Sequence, residues 1–141
     1  MFFVSKVKKW HVSFQLIPNE NIRKAVGNVD EQTEKRLDEV IQSFLRDLKE
    51  GKLKLNGWPT TPSAYKISKA AMNTYTRILA KRYPTFCINC SAPGFVKTDI
   101  TYNTGTSTVE EGAEGPVMLA LLPDGSPSGL LYEKTKVLPF E

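Results

Sequence analysis

Apolar residues recur at helical spacing in two segments of the chain, and each segment predicts an amphipathic helix. The first helix is predicted over residues 31–50, with Asp30 as its N-cap and Gly51 at its C-terminal end. Its apolar positions follow the i, i+3, i+4 spacing of one continuous stripe, which consists of Leu37, Val40, Ile41, Phe44, Leu45 and Leu48. We expect this stripe to pack against the protein core.

The second amphipathic segment follows Pro62, a residue type that is tolerated in the first turn of a helix. Alanines and long unbranched side chains favour a helix from Ser63 onwards, and basic residues near its end suit the helix dipole. Pro84 ends this helix. The apolar run 86–92 is short enough for a buried strand, and it stops at the turn Pro93–Gly94.

A third helix is predicted after a polar loop of Thr, Asn and Gly residues between Thr98 and Thr108. Thr108 and Glu111 form a capping box at its start, and the helix ends before Pro123. The succession of helix, buried strand and loop is typical of an α/β protein with a parallel sheet. Ligands of such sheets bind beyond the carboxyl ends of the strands, and Pro93–Gly94 would lie there.

Tyr65 and Lys69 are one turn apart in the second helix, so a phenol and an ammonium share one helix face. A tyrosine hydroxyl normally titrates near pH ~10. A neighbouring cation favours the phenolate, and moving the pKa to ~7 takes roughly 4 kcal/mol at about 1.36 kcal/mol per unit. A tyrosine tuned in this way is suited to give or take a proton at an oxygen atom near neutral pH.

The same spacing occurs a second time at Tyr132 and Lys136. This segment is short, lies between Gly129 and Pro139, and shows no helical periodicity. In a strand, residues four apart are separated by roughly 13 Å, so the two side chains would not meet as a helical pair does. We therefore interpret the second Tyr-x-x-x-Lys as a chance match.

Two longer motifs give the first pair its context. Residues 63–71 (SAYKISKAA) and residues 88–99 (INCSAPGFVKTD) together resemble the short-chain dehydrogenase/reductase family. The segment 17–20, the long insert after it and the run 109–114 are similar to the plant subgroup that includes neomenthol dehydrogenase and salutaridine reductase. The resemblance extends over residues 17–140.

The resemblance implies a role for each matched position. Tyr65 would be the catalytic acid/base, and Lys69 would lower its pKa and hydrogen-bond the nicotinamide ribose. Tyr65 and Lys69 would also contact the cofactor, and its nicotinamide half would contact Pro93, Gly94, Val96 and Thr98. Members of this subgroup usually use NADPH and move a hydride between it and a ketone or secondary alcohol on a hydrophobic small molecule, such as a terpenoid or an alkaloid. We expect no metal site.

The chain also departs from the family pattern. It has 141 residues, whereas a complete doubly wound domain of this family has roughly 250 or more. It contains no Gly-x-x-x-Gly-x-Gly turn to cradle a pyrophosphate, and the Asn of the family's catalytic tetrad has no counterpart. The expected fold is the C-terminal half of a doubly wound Rossmann-type α/β sheet, without the N-terminal nucleotide-binding half.

Ser13 is the candidate for the catalytic serine that would polarise a substrate carbonyl, and the alternative is a strand residue in a rearranged terminus. We expect an atypical N-terminus over 1–16 and a subgroup insert over 17–61. The catalytic helix, cofactor loop, substrate lid and C-terminal strands would follow over 62–141. Tyr102 in the predicted lid could touch substrate, although an exposed loop tyrosine is the alternative.

Composition and charge exclude several other classes of protein. An apolar content of 40% and a mean hydropathy of -0.30 are typical of a soluble globular chain. No run approaches ~18 consecutive apolar residues, so we expect no membrane span and a cytosolic location. The insert helix resembles one that covers the assembly face of tetrameric relatives, which implies a monomer.

The net charge of +4 leaves two interpretations of the cluster Lys6, Lys8 and Lys9. A nucleic-acid patch is one, but no nucleic-acid-binding motif accompanies it, and we favour a solvated basic tail. Cys87 and Cys90 form a Cys-x-x-Cys, but no second pair completes a zinc site. We expect both to be buried apolar cysteines.

Two functions remain in view. The first is an NADP-dependent oxidoreductase that acts on a small-molecule carbonyl or alcohol. The second is a truncated, non-catalytic homologue, because half a parallel sheet leaves a strand edge and an apolar face exposed. Such a chain would aggregate or dock on a partner.

Overall fold

The computed structural model describes residues 3–4, of which only the backbone is considered, and residues 17–27 and 33–139. The described residues form four α-helices: α1 (Glu20–Gly27), α2 (Glu34–Lys49), α3 (Ser63–Arg82) and α4 (Val109–Ala120). They also form four strands: β1 (Phe3–Val4), β2 (Cys90–Ala92), β3 (Leu131–Glu133) and β4 (Lys136–Leu138).

The chain divides into two compact units. The helical unit comprises the described residues 17–27 and 33–78, and the sheet unit comprises 3–4 and 79–139. α3 contributes most of its length to the helical unit. The buried core of the helical unit consists of Ile17, Val26, Phe44, Trp58, Ile67 and Ala70.

Helix α2 confirms the predicted amphipathic helix but not its predicted start. Thr33 is the N-cap, and its hydroxyl accepts a hydrogen bond from the Arg36 backbone N–H at 3.2 Å. The capping hydroxyl therefore stands three residues after Asp30, which lies outside the described residues. Two members of the predicted apolar stripe, Leu45 and Leu48, remain 48% and 45% exposed. The stripe is thus only partly covered in this chain.

The segment between α2 and α3 is fixed to α2 by a tryptophan. Trp58 is 3% exposed and packs edge-to-face on Phe44, with 5.2 Å between ring centroids. Its indole N–H donates to Asp47 Oδ2 at 2.7 Å. Because a buried indole needs an acceptor, this bond lets Trp58 enter the core without an unsatisfied donor.

Helix α3 has the bounds that the sequence predicts, from Ser63 to Arg82. Two side chains in the middle of α3 donate hydrogen bonds to carbonyl oxygens at the C-terminal end of α1. The Thr74 hydroxyl donates to the carbonyl oxygen of Val26 at 2.8 Å, and the Arg77 guanidinium donates to that of Gly27 at 2.9 Å. Carbonyl groups in the last turn of a helix have no partner within the helix, so these bonds stabilise the C-terminal end of α1.

The sheet has the order β1-β2-β3-β4, with β1, β2 and β3 parallel and β4 antiparallel to β3. The predicted parallel sheet is therefore confirmed. The predicted strand over 86–92 is too long, since β2 contains only its last three residues and Phe86 is 63% exposed. Ahead of β2, the Ile88 N–H donates to the Ser128 hydroxyl at 2.9 Å, a side-chain bond outside the strand ladder.

The second Tyr-x-x-x-Lys lies in the β3–β4 hairpin, as its interpretation as a chance match requires. Tyr132 pairs with Val137, and Lys136 pairs with Glu133 on the opposite strand. Lys134 takes a positive φ of 53° at the turn. The two motif residues thus belong to different strands of a hairpin and not to one helix face.

Helix α4 begins with the predicted capping box. The Glu111 N–H donates to the Thr108 hydroxyl at 3.2 Å, and the Thr108 N–H donates to Glu111 Oε2 at 2.8 Å. The helix approaches the sheet through glycines: a Cβ added at Gly115 would lie 2.6 Å from Ser91 Oγ. The absence of a side chain at Gly115 is therefore what lets α4 lie so close to β2.

The two cysteines have different surroundings, so the prediction that both are buried holds for one of them. Cys90 is 3% exposed within β2. Cys87 is half-buried ahead of the strand, and its thiol donates to the Ser126 carbonyl oxygen at 3.4 Å. Among the helices that the structure describes, none has the length and apolar character needed to cross a bilayer.

Candidate active site

The predicted catalytic pair lies in the first two turns of α3, within the helical unit. The ammonium of Lys69 is 5.7 Å from the centroid of the Tyr65 ring, within the range of a cation–π contact. The same ammonium is 3.7 Å from the sulfur of Met72. The helix therefore brings the phenol and the cation together, with the cation over the ring.

Burial shifts both groups towards their neutral forms. Loss of contact with water raises the pKa of the Tyr65 hydroxyl. It lowers the pKa of the Lys69 ammonium for the same reason. The direction for Tyr65 is opposite to the one expected from the motif, because desolvation disfavours a phenolate. In this chain the pair is close, and Tyr65 is held as a protonated phenol.

The hydrophobic core and the helix itself orient Tyr65. Tyr65 is partly buried and packs against the core cluster of the helical unit, as do Ile22, Val40 and Leu53. The Ser68 hydroxyl donates to the Tyr65 carbonyl oxygen at 2.9 Å. Packing against the core on one side restricts the orientations that the Tyr65 side chain can adopt.

The predicted cofactor loop lies in the sheet unit, directly after β2. Gly94 has a φ of +80°, a backbone conformation that residues other than glycine rarely adopt. A Cβ placed there would meet nothing within 4 Å, so the backbone of this turn has an open side. Pro93, beside it, is buried. The turn thus offers exposed backbone at the carboxyl end of a parallel strand.

A cavity of about 250 Å³ lies between this loop and α4. Its lining is almost wholly apolar and consists of Pro93, Gly94, Val96, Thr98, Ile100, Thr101, Val109, Gly112, Ala113, Pro116 and Val117. The four residues of the predicted cofactor loop, Pro93, Gly94, Val96 and Thr98, are in this lining, and Tyr65 and Lys69 are not. An apolar cavity with few polar groups is typical of a small-molecule site.

Thr101 fixes the shape of the cofactor loop, and the sequence analysis did not single it out. Its hydroxyl oxygen lies 2.7 Å from the Val96 carbonyl oxygen and accepts the Thr98 N–H at 3.0 Å. Thr101 belongs to a short 3-10 helix, Asp99–Thr101. Only the repeated threonines of the loop hinted at such bonding, since short hydroxyl side chains readily bond nearby backbone groups.

The rest of the predicted lid folds back on the cofactor loop. The Lys97 N–H donates to the Ser107 carbonyl oxygen at 2.9 Å, and the Thr106 N–H donates to that of Phe95 at 2.7 Å. Tyr102, at the tip, is 88% exposed with a φ of 49°, so of the two alternatives the structure shows the exposed loop tyrosine. Ser13, the candidate catalytic serine, lies outside the described residues.

Several known proteins are similar in sequence to this chain over most of its length. It is 58% identical over 125 residues to short-chain dehydrogenase/reductase 1 of Saponaria officinalis, covering 89% of this chain and 41% of that protein. It is 50% identical over 126 residues to (-)-isopiperitenone reductase of Mentha piperita, covering 89% and 40%. No family model matches the chain.

The fold comparison agrees with the sequence comparison. The structure of salutaridine reductase from Papaver somniferum superposes with a TM-score of 0.83 at 43% identity, over 93% of this chain and 44% of that one. The chain belongs to the short-chain dehydrogenase/reductase family. It spans about 40% of the length of the curated relatives it matches, and its fold is the corresponding part of their α/β fold.

The cofactor loop can be tested against the nicotinamide cofactor that this family implies. The open side of Gly94 and the apolar cavity suit a flat ring that approaches the backbone closely. The pyrophosphate of the cofactor has no matching site in this sequence, because the sequence contains no Gly-rich turn of the required spacing. The residues of this short-chain dehydrogenase/reductase therefore fit the nicotinamide end of the cofactor.

Proposed function

We propose that the chain is the catalytic part of an NADP-dependent oxidoreductase that interconverts a ketone and a secondary alcohol. The observation that carries the proposal is the pair Tyr65 and Lys69, in contact on one face of α3 in a chain of this family. The substrate would be a hydrophobic small molecule, terpenoid- or alkaloid-like. The proposal includes a monomer in the cytosol that binds no nucleic acid.

Tyr65 would be the proton donor and acceptor of the reaction. The phenol carries its proton at neutral pH, as a free tyrosine does, and burial reinforces this by raising the pKa of the hydroxyl. The protonated phenol is the form that would donate to a carbonyl oxygen in the reduction. In the reverse direction Tyr65 would take the alcohol proton, which requires a lower pKa and so a nearby cation.

Lys69 would supply that cation and orient the cofactor. NADPH, when bound, provides the hydride. Lys69 would hydrogen-bond the nicotinamide ribose, while Pro93, Gly94, Val96 and Thr98 would hold the nicotinamide ring. An ammonium bonded to a ribose would no longer be confined to the Tyr65 ring face, and from there it would favour the phenolate.

The apolar cavity beside the cofactor loop supports a hydrophobic substrate. Ile100, Val109 and Val117 line it, and they are 62%, 58% and 54% exposed. Exposed apolar side chains around a cavity usually mark a binding surface. The lid that carries Ile100 would then cover an apolar molecule and keep water from the reacting carbonyl.

The alternative is a non-catalytic homologue. The observation that favours it is that this sequence contains no Gly-rich turn of the spacing that cradles a pyrophosphate. NADPH titration of the purified 141-residue chain, monitored by nicotinamide fluorescence, tests whether the chain binds the cofactor by itself. We expect no saturable binding at micromolar NADPH, because the ring pocket alone lacks the anion-binding half. Micromolar affinity would show that this chain holds the cofactor by itself.

The catalytic proposal itself is tested in a chimera with a relative. The whole chain is joined to the preceding part of the Saponaria officinalis relative, and NADPH oxidation is followed with a panel of cyclic hydrophobic ketones. Turnover by this chimera, and none by the chain alone, would support the proposal. A folded chimera that binds NADPH and reduces no ketone would favour the non-catalytic homologue.

A further inference from the structure

Lys66, the neighbour of Tyr65, is a buried lysine. It is only 8% exposed, whereas lysines are almost never buried unless the ammonium is bonded. Its Nζ donates to the backbone carbonyl oxygen of Thr60 at 3.1 Å. A buried ammonium loses its water shell, so a position that retains one requires compensating hydrogen bonds.

Lys66 bonds the chain ahead of α3 at two points. Its side chain reaches Thr60, and its backbone N–H donates to the Pro62 carbonyl oxygen at 3.1 Å. Both acceptors lie in the connector, which we define as residues 57–62. The bond from the ammonium is charge-assisted and therefore stronger than a bond between neutral groups. One residue thus ties the connector to the first turns of α3.

The connector is in turn anchored to α2. Trp58 is buried against Phe44 and donates to Asp47, and Pro59 is buried as well. A continuous set of contacts therefore runs from α2 through Trp58 and Thr60 to Lys66. Tyr65 lies at the end of this set, one residue from the lysine and against the same core.

We propose that Lys66 is a positioning residue: by binding the Thr60 carbonyl oxygen, it fixes the connector on the start of α3 and so holds Tyr65 against the core. This inference rests on the proposed function, in which Tyr65 needs one fixed direction to reach a substrate oxygen. Lys66 itself contacts no reacting atom in this role. Its effect passes through the backbone of the first two helical turns.

The test measures Tyr65 directly in the 141-residue chain. Tyrosines are labelled with ¹³C, and Tyr65 is assigned from the signal that Tyr65→Phe removes. In Lys66→Met we expect amide exchange over residues 66–70 to accelerate at least about tenfold, the loss expected for one charged hydrogen bond. The pKa of Tyr65 should also fall towards that of free tyrosine, because a loosened first turn admits water to the ring.

Two matched variants make the test specific. Lys66→Arg keeps a cationic donor for Thr60 and should retain wild-type exchange and titration, whereas a general loss of packing would not be rescued. Lys81→Met removes an exposed lysine from the end of the same helix and should change neither. If Lys66→Met does not fold, Lys66→Ala, which also removes the donor, is measured against the same threshold.

The proposal is overturned if Lys66→Met leaves exchange and the titration of Tyr65 at their wild-type values, if Lys81→Met produces the same changes, or if Lys66→Arg fails to rescue them. None of these measurements needs turnover. Failure of this inference therefore leaves the proposed chemistry of Tyr65 standing, and an inactive chimera would leave the positioning result standing.

Discussion

The Lys69 ammonium lies over the ring of Tyr65, 5.7 Å from the ring centroid. Burial lowers the pKa of Lys69 and raises that of Tyr65, so the folded chain disfavours the charge on both. At neutral pH only the Lys69 shift bears on folding, because tyrosine is neutral in both the folded and the unfolded state. A lysine whose charge is disfavoured by burial, in contact with a partly buried phenol, is typical of a functional site.

Lys69→Met should therefore leave the chain as stable as the wild type or make it more stable. The methionine removes a partly desolvated charge while keeping an unbranched stem of similar length. We expect the free energy of unfolding to stay within about 0.5 kcal/mol of the wild type or to rise, as measured by urea denaturation. In the chimera the same change should lower ketone reduction at least ~10²-fold. A large loss of stability would show that Lys69 is structural.

Gly115→Ala should destabilise the sheet unit. The added Cβ would lie 2.6 Å from Ser91 Oγ and 2.7 Å from the Lys134 carbonyl oxygen, and a backbone oxygen cannot move away cheaply. We expect a loss of about 1–3 kcal/mol, although alanine is the better helix former by ~1 kcal/mol. Glu114→Ala, at an exposed position of the same helix, is the control and should stay within about 0.5 kcal/mol of the wild type. A Gly115→Ala chain of unchanged stability would refute the close contact.

Thr101→Val should loosen the cofactor loop, because valine keeps the shape of threonine and removes its hydroxyl. The Thr98 N–H then loses its acceptor and the Val96 carbonyl oxygen loses a donor. We expect a loss of ~1 kcal/mol in unfolding free energy and a higher KM for NADPH in the chimera. Thr104→Val is the matched control, since its hydroxyl donates to the Thr101 carbonyl oxygen at the exposed side of the loop. Equal KM values for both variants would contradict the role given to Thr101.

Acid should weaken the contact that anchors the connector. Two hydrogen bonds hold the pKa of the Asp47 carboxyl below its ordinary value. The larger effect comes from the Trp58 indole N–H and the smaller from the Asn56 side chain. A carboxyl with a lowered pKa in the folded state contributes stability above its unfolded pKa of ~3.9, and this is lost as the pH falls through the folded pKa. The tryptophan fluorescence of a Trp10→Phe chain should therefore change below pH ~4.

Asp47→Asn in the same background should remove most of that acid-dependent change, because asparagine does not titrate. Asp38→Asn, an exposed position on the same helix, serves as the control and should retain it. If the fluorescence of Trp58 responds to acid equally in both variants, Asp47 is not the group that titrates.

The helices could be predicted from the sequence because their signals are local. The periodicity of α2, the prolines around α3 and the capping box of α4 each act within a few residues. The strand over 86–92 was predicted too long, because the backbone ahead of β2 bonds Ser128, some 40 residues later in the chain. Apolar character alone does not show which residues form ladder bonds and which bond a side chain.

In the candidate site too, features with a local sequence signal could be predicted, and features set by distant contacts could not. Tyr65 and Lys69 follow from a motif within one helix, and the cofactor loop follows from its Pro-Gly turn. The burial of Lys66 depends on how the connector folds back, and the role of Thr101 depends on a loop whose composition is generic. The direction of the pKa shift at Tyr65 depends on desolvation, which spacing along a helix cannot reveal.

The central claim is that Tyr65 is the catalytic tyrosine because of its place in α3, and that the Tyr-x-x-x-Lys spacing alone does not make a tyrosine catalytic. The chain offers its own control, since Tyr132 heads a second Tyr-x-x-x-Lys in the β3–β4 hairpin. Each tyrosine is changed to phenylalanine in a separate variant of the chimera, and kcat for ketone reduction by NADPH is measured for both variants. Tyr65→Phe should lower kcat at least ~10²-fold, and Tyr132→Phe should leave it within about twofold. Equal kcat values for the two variants would contradict the claim.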